Sequence, residues 1–436
     1  MAKSLPISGT GGVGGGAAGT AGAMRGAAVT IDPYRILFPL GVLYAILAAL
    51  VWPLYAAGWI PYPATLHWTL MVQGFLHCFV LGFLLTAMPA FLHAGKANAW
   101  EVGIAVGAMV LLGVFAFVGV WVAAQVAYLA TLVVVVQAGV RRLPRRTNDP
   151  AEEFLFVALG MAFAAAGAVV GIGVAAGWWE EPAPRFALHL FTKGMMLSIV
   201  LGLGGLLVPT FSAMREPLVI PGVARPGQRG PRRALYVPLA LLLVVAMVIE
   251  AMGRPAAAAW VRVIPATVLG LLVWKLFRLP GRRDTLSWSI WSAGWFVLLG
   301  LWTAALVPAR AILGYHIVFL GGFGLLILGI ATRVVVTHGA HPVEQEKKVL
   351  RRGVLAMVTF ALLARVGAEF APATVNLHYA LSGLLWIVAW IWWGSGALPR
   401  IARPGVRRSA TAGRVPPIEL RSEQAKRALS GEGGGG

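Results

Sequence analysis

Histidine is the residue type on which chemistry in this sequence would rest. Of the eight, His67, His189, His316 and His378 each stand near the start of a long apolar run, His77 stands ten residues further into the first of those runs, and His93, His338 and His341 follow the ends of runs. Imidazole ligates heme iron axially and copper directly, and facing helices inside a bundle are a common place for such sites. The competing use of any one of them is a hydrogen bond to a neighbouring backbone carbonyl. Arg365 and Glu369 are four apart and can pair along one helix face, or the planar guanidinium of Arg365 can hold a carboxylate such as a heme propionate. Lys193, one turn after His189, offers the same service, and Arg333 lies just inside the end of its run. The single cysteine, Cys78, allows neither an internal disulfide nor a thiolate cluster.

The elements that must position these residues are membrane helices. A chain of 436 residues that is 59% hydrophobic and 12% charged cannot build the water-facing surface of a soluble domain, which is about a quarter charged, so a soluble enzyme is excluded. The mean hydropathy of +0.80, with 17 Trp and 54 Gly, fits a helical membrane protein. Apolar stretches of about twenty residues, each long enough to cross a roughly 30 Å hydrocarbon core, recur over 36–58, 66–92, 99–118, 121–140, 153–177, 186–212, 234–252, 256–277, 285–306, 311–336, 350–370 and 374–397. The expected fold class is therefore an all-α polytopic integral membrane bundle of about twelve transmembrane helices. The weakest boundary is that between the third and fourth stretches, at Gly119 to Val122. Residues 1–33 read as a disordered Gly/Ala-rich tail, 34–399 as the membrane domain, and 400–436 as a basic, disordered cytoplasmic tail.

The formal net charge of +20 comes from bases spread between apolar segments, so nucleic acid is not an expected partner and the lipid bilayer is. Arg141, Arg142, Arg145, Arg146, Arg215, Arg225, Arg229, Arg232, Arg233, Arg278, Arg282, Arg283, Lys347 and Lys348 fall in even-numbered connections, while the odd ones hold little more than Arg185, Arg254 and Arg310. Basic loops face the cytoplasm, which places both termini there and the chain in a bacterial inner membrane. The second, sixth, tenth and twelfth spans then run in the same direction, so His67, His189, His316 and His378 share a layer of roughly 5 to 8 Å near the outer face. His77 lies about 15 Å deeper, with Gln73 one turn before it, and Lys193 and His77 are the only expected mid-membrane polar residues.

Two stretches carry a resemblance to the NnrS family of bacterial membrane proteins. One runs from His67 through Gln73-Gly74-Phe75 to Gly82-Phe83-Leu84-Leu85-Thr86-Ala87-Met88-Pro89. The other comprises His316, Gly321-Gly322-Phe323-Gly324, Gly329, Thr332-Arg333-Val334 and His338-Gly339-Ala340-His341-Pro342. A weaker match is Gly204-Gly205-Leu206-Leu207-Val208-Pro209-Thr210-Phe211. The resemblance spans about Tyr34 to Arg400 and implies a heme- and copper-containing membrane protein of nitric oxide metabolism and nitrosative stress resistance, with nitric oxide or a ligand derived from it as partner. His67, His316, Arg333 and His338 match family motif positions, and the resemblance implies metal at His67, His316 and His338. The sequence departs from the pattern where Thr69 and Leu70 replace a second histidine and an acid, where Ala90-Phe91-Leu92-His93 follows Pro89, and at Leu206-Leu207-Val208-Pro209, as a divergent branch would. His77 is additional, and the compensation it suggests makes it a candidate axial heme ligand.

Two rival functions remain on the residues alone. A metal-free secondary transporter would need broken helices and mid-membrane charges. A heme-copper oxidase or nitric oxide reductase-like subunit would need adjacent histidines at a second metal, and the sequence has no His-His pair.

Overall fold

The computed structural model describes residues 32–147, 149–212 and 231–403. The expected disordered tails, up to residue 31 and from residue 404, lie outside the described residues, as do Arg215, Arg225 and Arg229 of the sixth connection.

The described residues form helices and no strand. The bundle has twelve long helices among the described residues, α1 (Tyr34–Ala56), α2 (Ala64–Phe91), α3 (Ala99–Phe117), α4 (Trp121–Arg142), α5 (Phe154–Ala175), α6 (Ala183–Phe211), α7 (Pro231–Ala251), α8 (Pro255–Val273), α9 (Thr285–Leu306), α10 (Pro308–His338), α11 (Arg352–Gly367) and α12 (Val375–Ala402). Eleven are long and apolar enough to cross a bilayer. The exception is α11, whose 16 residues extend about 24 Å, less than a hydrocarbon core. α3 and α4 are separate helices because the chain reverses at Gly119, whose φ of 75° lets Val120 N–H reach back to the Phe115 carbonyl at 2.9 Å, the left-handed helix stop that glycine permits at low cost.

Counted along the chain in fours, α1–α4, α5–α8 and α9–α12, the second member of each quartet, α2, α6 or α10, lines the two internal cavities of the bundle. A glycine pair eight residues apart recurs in those three helices, as Gly74/Gly82, Gly194/Gly202 and Gly321/Gly329. In each quartet the pair lets the second helix lie against the first. Gly74 and Gly82 face Tyr44 and Phe38 of α1, Gly194 and Gly202 face Phe163 and Phe156 of α5, and Gly321 and Gly329 face Phe296 and Ile290 of α9. A Cβ at Gly194 would stand 2.8 Å from the Phe163 ring and one at Gly321 2.7 Å from the Phe296 ring, closer than carbon atoms pack, so small residues set the helix separation. The apolar stretches of α2 and α6 are 94% and 83% buried and that of α10 56%, against 39% for α7 on the periphery. Apolar side chains such as Val110, Val114, Val133 and Val136 stay exposed on the outer faces of α3 and α4, where lipid replaces water.

The three central helices share one backbone irregularity. Each widens into a π-helical stretch within two residues of its first histidine: Thr69–Leu76 after His67, Leu190–Met196 after His189, and Ile317–Gly324 after His316. Such widened turns leave carbonyls and side chains off the regular ladder and are frequent at functional sites.

At the opposite end from these histidines the bundle is closed by ion pairs. Arg142 is buried against Glu101 at 3.0 Å and donates to the carbonyls of Gly95 and Lys96. Arg333 pairs with Glu346 at 2.9 Å, and burial pushes the Glu346 carboxyl above its usual range although Arg333 pulls the other way. Part of the basic composition of this end is therefore internal bracing.

Candidate functional site

The widened starts of α2, α6 and α10 surround a cavity of about 630 Å³ at the histidine end of the bundle. That size is typical of cofactor and small-molecule sites, which are mostly apolar with a few placed polar groups. His67, His189 and His316 all line it, and Met71, Phe75, Phe319 and Trp386 supply apolar wall. A smaller apolar void of about 70 Å³, walled by Phe79, Met196 and Phe323, lies one turn further along the same helices.

The three histidines are held in the same way. His67 Nδ1 lies 2.8 Å from the Ala48 carbonyl, His316 Nδ1 2.8 Å from the Ile312 carbonyl, and His189 Nδ1 3.0 Å from a carboxylate oxygen of Glu250. Two acceptors repel, so the short contacts of His189 and His316 place their protons on Nδ1. At His67 the Trp52 indole N–H also points at Nδ1, at 3.0 Å, and this donor takes the opposite tautomer from the Ala48 carbonyl, so only one of the two hydrogen bonds forms at a time. In His189 and His316 Nε2 is then the unprotonated nitrogen, and in all three rings Nε2 has no hydrogen-bond partner among the described residues. An imidazole anchored through one nitrogen and bare at the other is the state in which histidine binds a metal.

The wall beside His189 is charged. Lys193 Nζ donates to Glu250 Oε1 at 2.5 Å and lies 4.7 Å from the Tyr315 ring centre. Arg262 of α8 closes on Glu250 Oε2 and donates to the Tyr315 hydroxyl at 2.9 Å. Glu250 and Arg262 are buried behind the wall rather than on it. A charged residue in the middle of an apolar helix costs about 3 kcal/mol on insertion scales, so this cluster, one anion between two cations, persists because its members compensate one another. On the far wall Arg365 Nη1 donates to Glu369 Oε1 at 3.1 Å, and its guanidinium stacks 5.0 Å over Tyr379. Both Arg365 and Glu369 still reach the cavity.

The other expected site residues are elsewhere. His77 is fully buried between α2 and α4, with Nε2 2.8 Å from the Thr131 hydroxyl and Nδ1 3.4 Å from Tyr128. Thr131 passes its own proton to the Tyr128 carbonyl at 2.7 Å, so its oxygen is free to accept from His77. Gln73, expected beside His77, instead exchanges amide hydrogen bonds with Gln125 at 2.8 and 3.0 Å. His378 shares the histidine end but packs against Gly367 at the α11–α12 contact, outside the cavity lining. His338 and His93 are exposed at the opposite end, and His341 bonds the Arg400 carbonyl at 3.0 Å. The expected metal positions His67, His316 and His338 do not form one ligand sphere, because His316 and His338 are at opposite ends of α10, roughly 33 Å apart at 1.5 Å per residue.

Glu250 and Arg262 are two ionisable residues of this wall that the expected set leaves out. Both sit inside apolar runs, in the last turn of α7 and the second turn of α8, and the rule that an ionisable residue in a span is a candidate by default would have found them. The eight-residue glycine spacing is a second signal of this kind, since it aligns α2, α6 and α10 with one another from the amino-acid order alone.

Fold and cavity together define a polytopic helical membrane protein that presents several imidazoles to an apolar chamber at one end of its bundle. The sequence profile described as NnrS protein matches residues 28–404, and the chain belongs to the NnrS family. No curated protein matches it.

Proposed function

We propose that this protein holds heme in the 630 Å³ cavity between α2, α6 and α10 and acts in nitric oxide metabolism or nitrosative stress resistance. The observation that carries the reading is the common placement of His67, His189 and His316: Nδ1 engaged by protein, Nε2 without a protein partner among the described residues, all three on one mostly apolar cavity. Heme suits such a chamber because an apolar macrocycle needs apolar wall and its iron takes an imidazole nitrogen as ligand. When bound, heme supplies an iron centre able to take a diatomic ligand such as nitric oxide. The residues contribute the rest: the histidines would present Nε2, Phe75, Phe319 and Trp386 exclude water, and Arg365 is within the wall to meet a propionate if Glu369 yields it. Copper does not fit the described residues in the same way, since no three His, Cys, Asp or Glu side chains among them converge as a metal cluster.

The proposed setting is the inner membrane with both termini cytoplasmic and the histidine cavity facing outward, on the strength of the basic connections. Reporters fused after Arg146 and after Glu181 are expected to read cytoplasmic and periplasmic.

A metal-free transporter is favoured by one observation, the buried Lys193–Glu250–Arg262 cluster beside a chamber, which is the type of intramembrane charge a transport pathway uses. Pyridine hemochrome analysis of the purified protein separates the two. Heme near one or two per chain, lost when His67, His189 and His316 are all changed to Ala in a folded protein, supports the proposal. No heme in the unmodified protein, or full heme in the triple variant, overturns it.

A further inference from the structure

The three cavity histidines have Nδ1 contacts of different chemistry. The Nδ1 atoms of His67 and His316 meet backbone carbonyls, which are neutral dipoles, and that of His67 also meets the Trp52 indole N–H. His189 gives its proton to the carboxylate of Glu250 at 3.0 Å. A carboxylate behind an imidazole pulls that proton harder, raises electron density at the far nitrogen, and fixes the ring's direction. Glu250 is in turn fixed on three sides, by His189 and Lys193 from α6 and by Arg262 from α8, and Tyr315 of α10 holds Arg262 in place at 2.9 Å. The two cations make an anion tenable at this depth, and they also spread the anchoring of one imidazole over four helices. No comparable device supports His67 or His316.

We infer that Glu250 is a positioning residue that makes His189 the strongest metal donor of the three, so that His189 is the permanent ligand of the cavity and the ligand opposite, His67 or His316, is the one that gives way to an incoming molecule. This rests on the heme reading above. Glu250 itself does not reach the cavity, so its effect passes entirely through the His189 ring. Lys193 and Arg262 temper the donation by drawing on the same carboxylate. Glu250 Oε1 nonetheless stays within hydrogen-bond distance of His189 Nδ1, at 3.0 Å, while it meets Lys193.

The test is Glu250→Gln in the heme-loaded, full-length protein. Glutamine keeps an acceptor oxygen for His189 and removes the charge. The midpoint potential is expected to shift positive and the ferrous iron–histidine stretching band in the resonance Raman spectrum to move to lower frequency. Glu369→Gln removes a carboxylate that lines the cavity without touching a histidine, and is expected to leave the stretching band in place. Where Glu250→Gln alone fails to fold, the double variant Lys193→Met/Glu250→Gln restores the net charge of the cluster and serves instead. In the metal-free protein, the 15N resonances of the His189 ring are expected to report an Nδ1-protonated tautomer, lost in Glu250→Ala. An unmoved band and potential in a folded, heme-loaded Glu250→Gln protein, or an equal band shift in Glu369→Gln, overturns the inference and leaves the heme reading intact. Absence of heme from the unmodified protein, by contrast, is the failure of that reading.

Discussion

His67 and His77 stand ten residues apart on α2 and invite the same interpretation, yet their surroundings differ in the one respect that matters for ligation. His77 is the more deeply buried, and each of its nitrogens meets a hydroxyl, of Thr131 or Tyr128. His67 is only half-buried, but it spends one nitrogen on the Ala48 carbonyl and presents the other to a cavity. Depth in the membrane makes an unpaired imidazole expensive and so guarantees a partner. It does not say whether that partner is protein or ligand. A free nitrogen beside empty space does.

The comparison is broken most decisively by heme content. His189→Ala is expected to lower heme per folded protein by about tenfold or more, the scale of about 1.4 kcal/mol or greater lost from binding, with a smaller loss in whichever of His67→Ala and His316→Ala removes the second ligand, while His77→Ala keeps its full complement. Equal losses at His67 and His77 would remove the distinction. Next in size is the charged wall. Glu250→Ala leaves Lys193 and Arg262 buried without their anion and is expected to cost about 3–5 kcal/mol, read as loss of folded yield or a lower melting temperature in detergent. Glu369→Ala, whose Arg365 partner can turn to the chamber, should cost far less.

His77→Ala comes third. It deprives Thr131 and Tyr128 of a buried partner, worth about 1–3 kcal/mol, and is expected to lower thermal stability while the Soret band stays put. A shifted Soret band would instead make His77 an axial ligand, as its depth in the sequence suggested. The smallest effects belong to the opposite end of the bundle. His338→Ala and His93→Ala are expected to change stability by no more than about 0.5 kcal/mol and to leave heme content unchanged, since both side chains are exposed.

The polar residues of the site were unequally legible. The shared layer of His67, His189 and His316 follows from span counting and loop charge, because a helix converts residue number into depth. Depth alone admitted His378 as well, and only the angular position of each residue around its helix separates it from the other three: His378 turns toward Gly367 while the others turn inward. Arg365 and Glu369 pair as their four-residue spacing allows. Glu250 and Arg262 belong to different helices, twelve residues apart across a turn, and nothing in local spacing says that they meet Lys193 and His189.

What the sequence by itself determined is the one-dimensional part of this protein. Apolar runs of bilayer length fix an all-α membrane bundle, Gly119 divides α3 from α4, and the repeated glycine pair fixes which faces of α2, α6 and α10 lie against their neighbours. Each of these depends on residues close in the chain or on a period the chain displays. The tertiary structure alone decided which imidazole nitrogens are used and which are bare, because that depends on carbonyls, hydroxyls and carboxylates brought in from other helices: Ala48 of α1 for His67, Thr131 of α4 for His77, and Glu250 of α7 for His189. The widened turns after the three cavity histidines are of the same kind. A π-helical stretch has no strong local propensity and persists where packing around it compensates the disturbed hydrogen bonds.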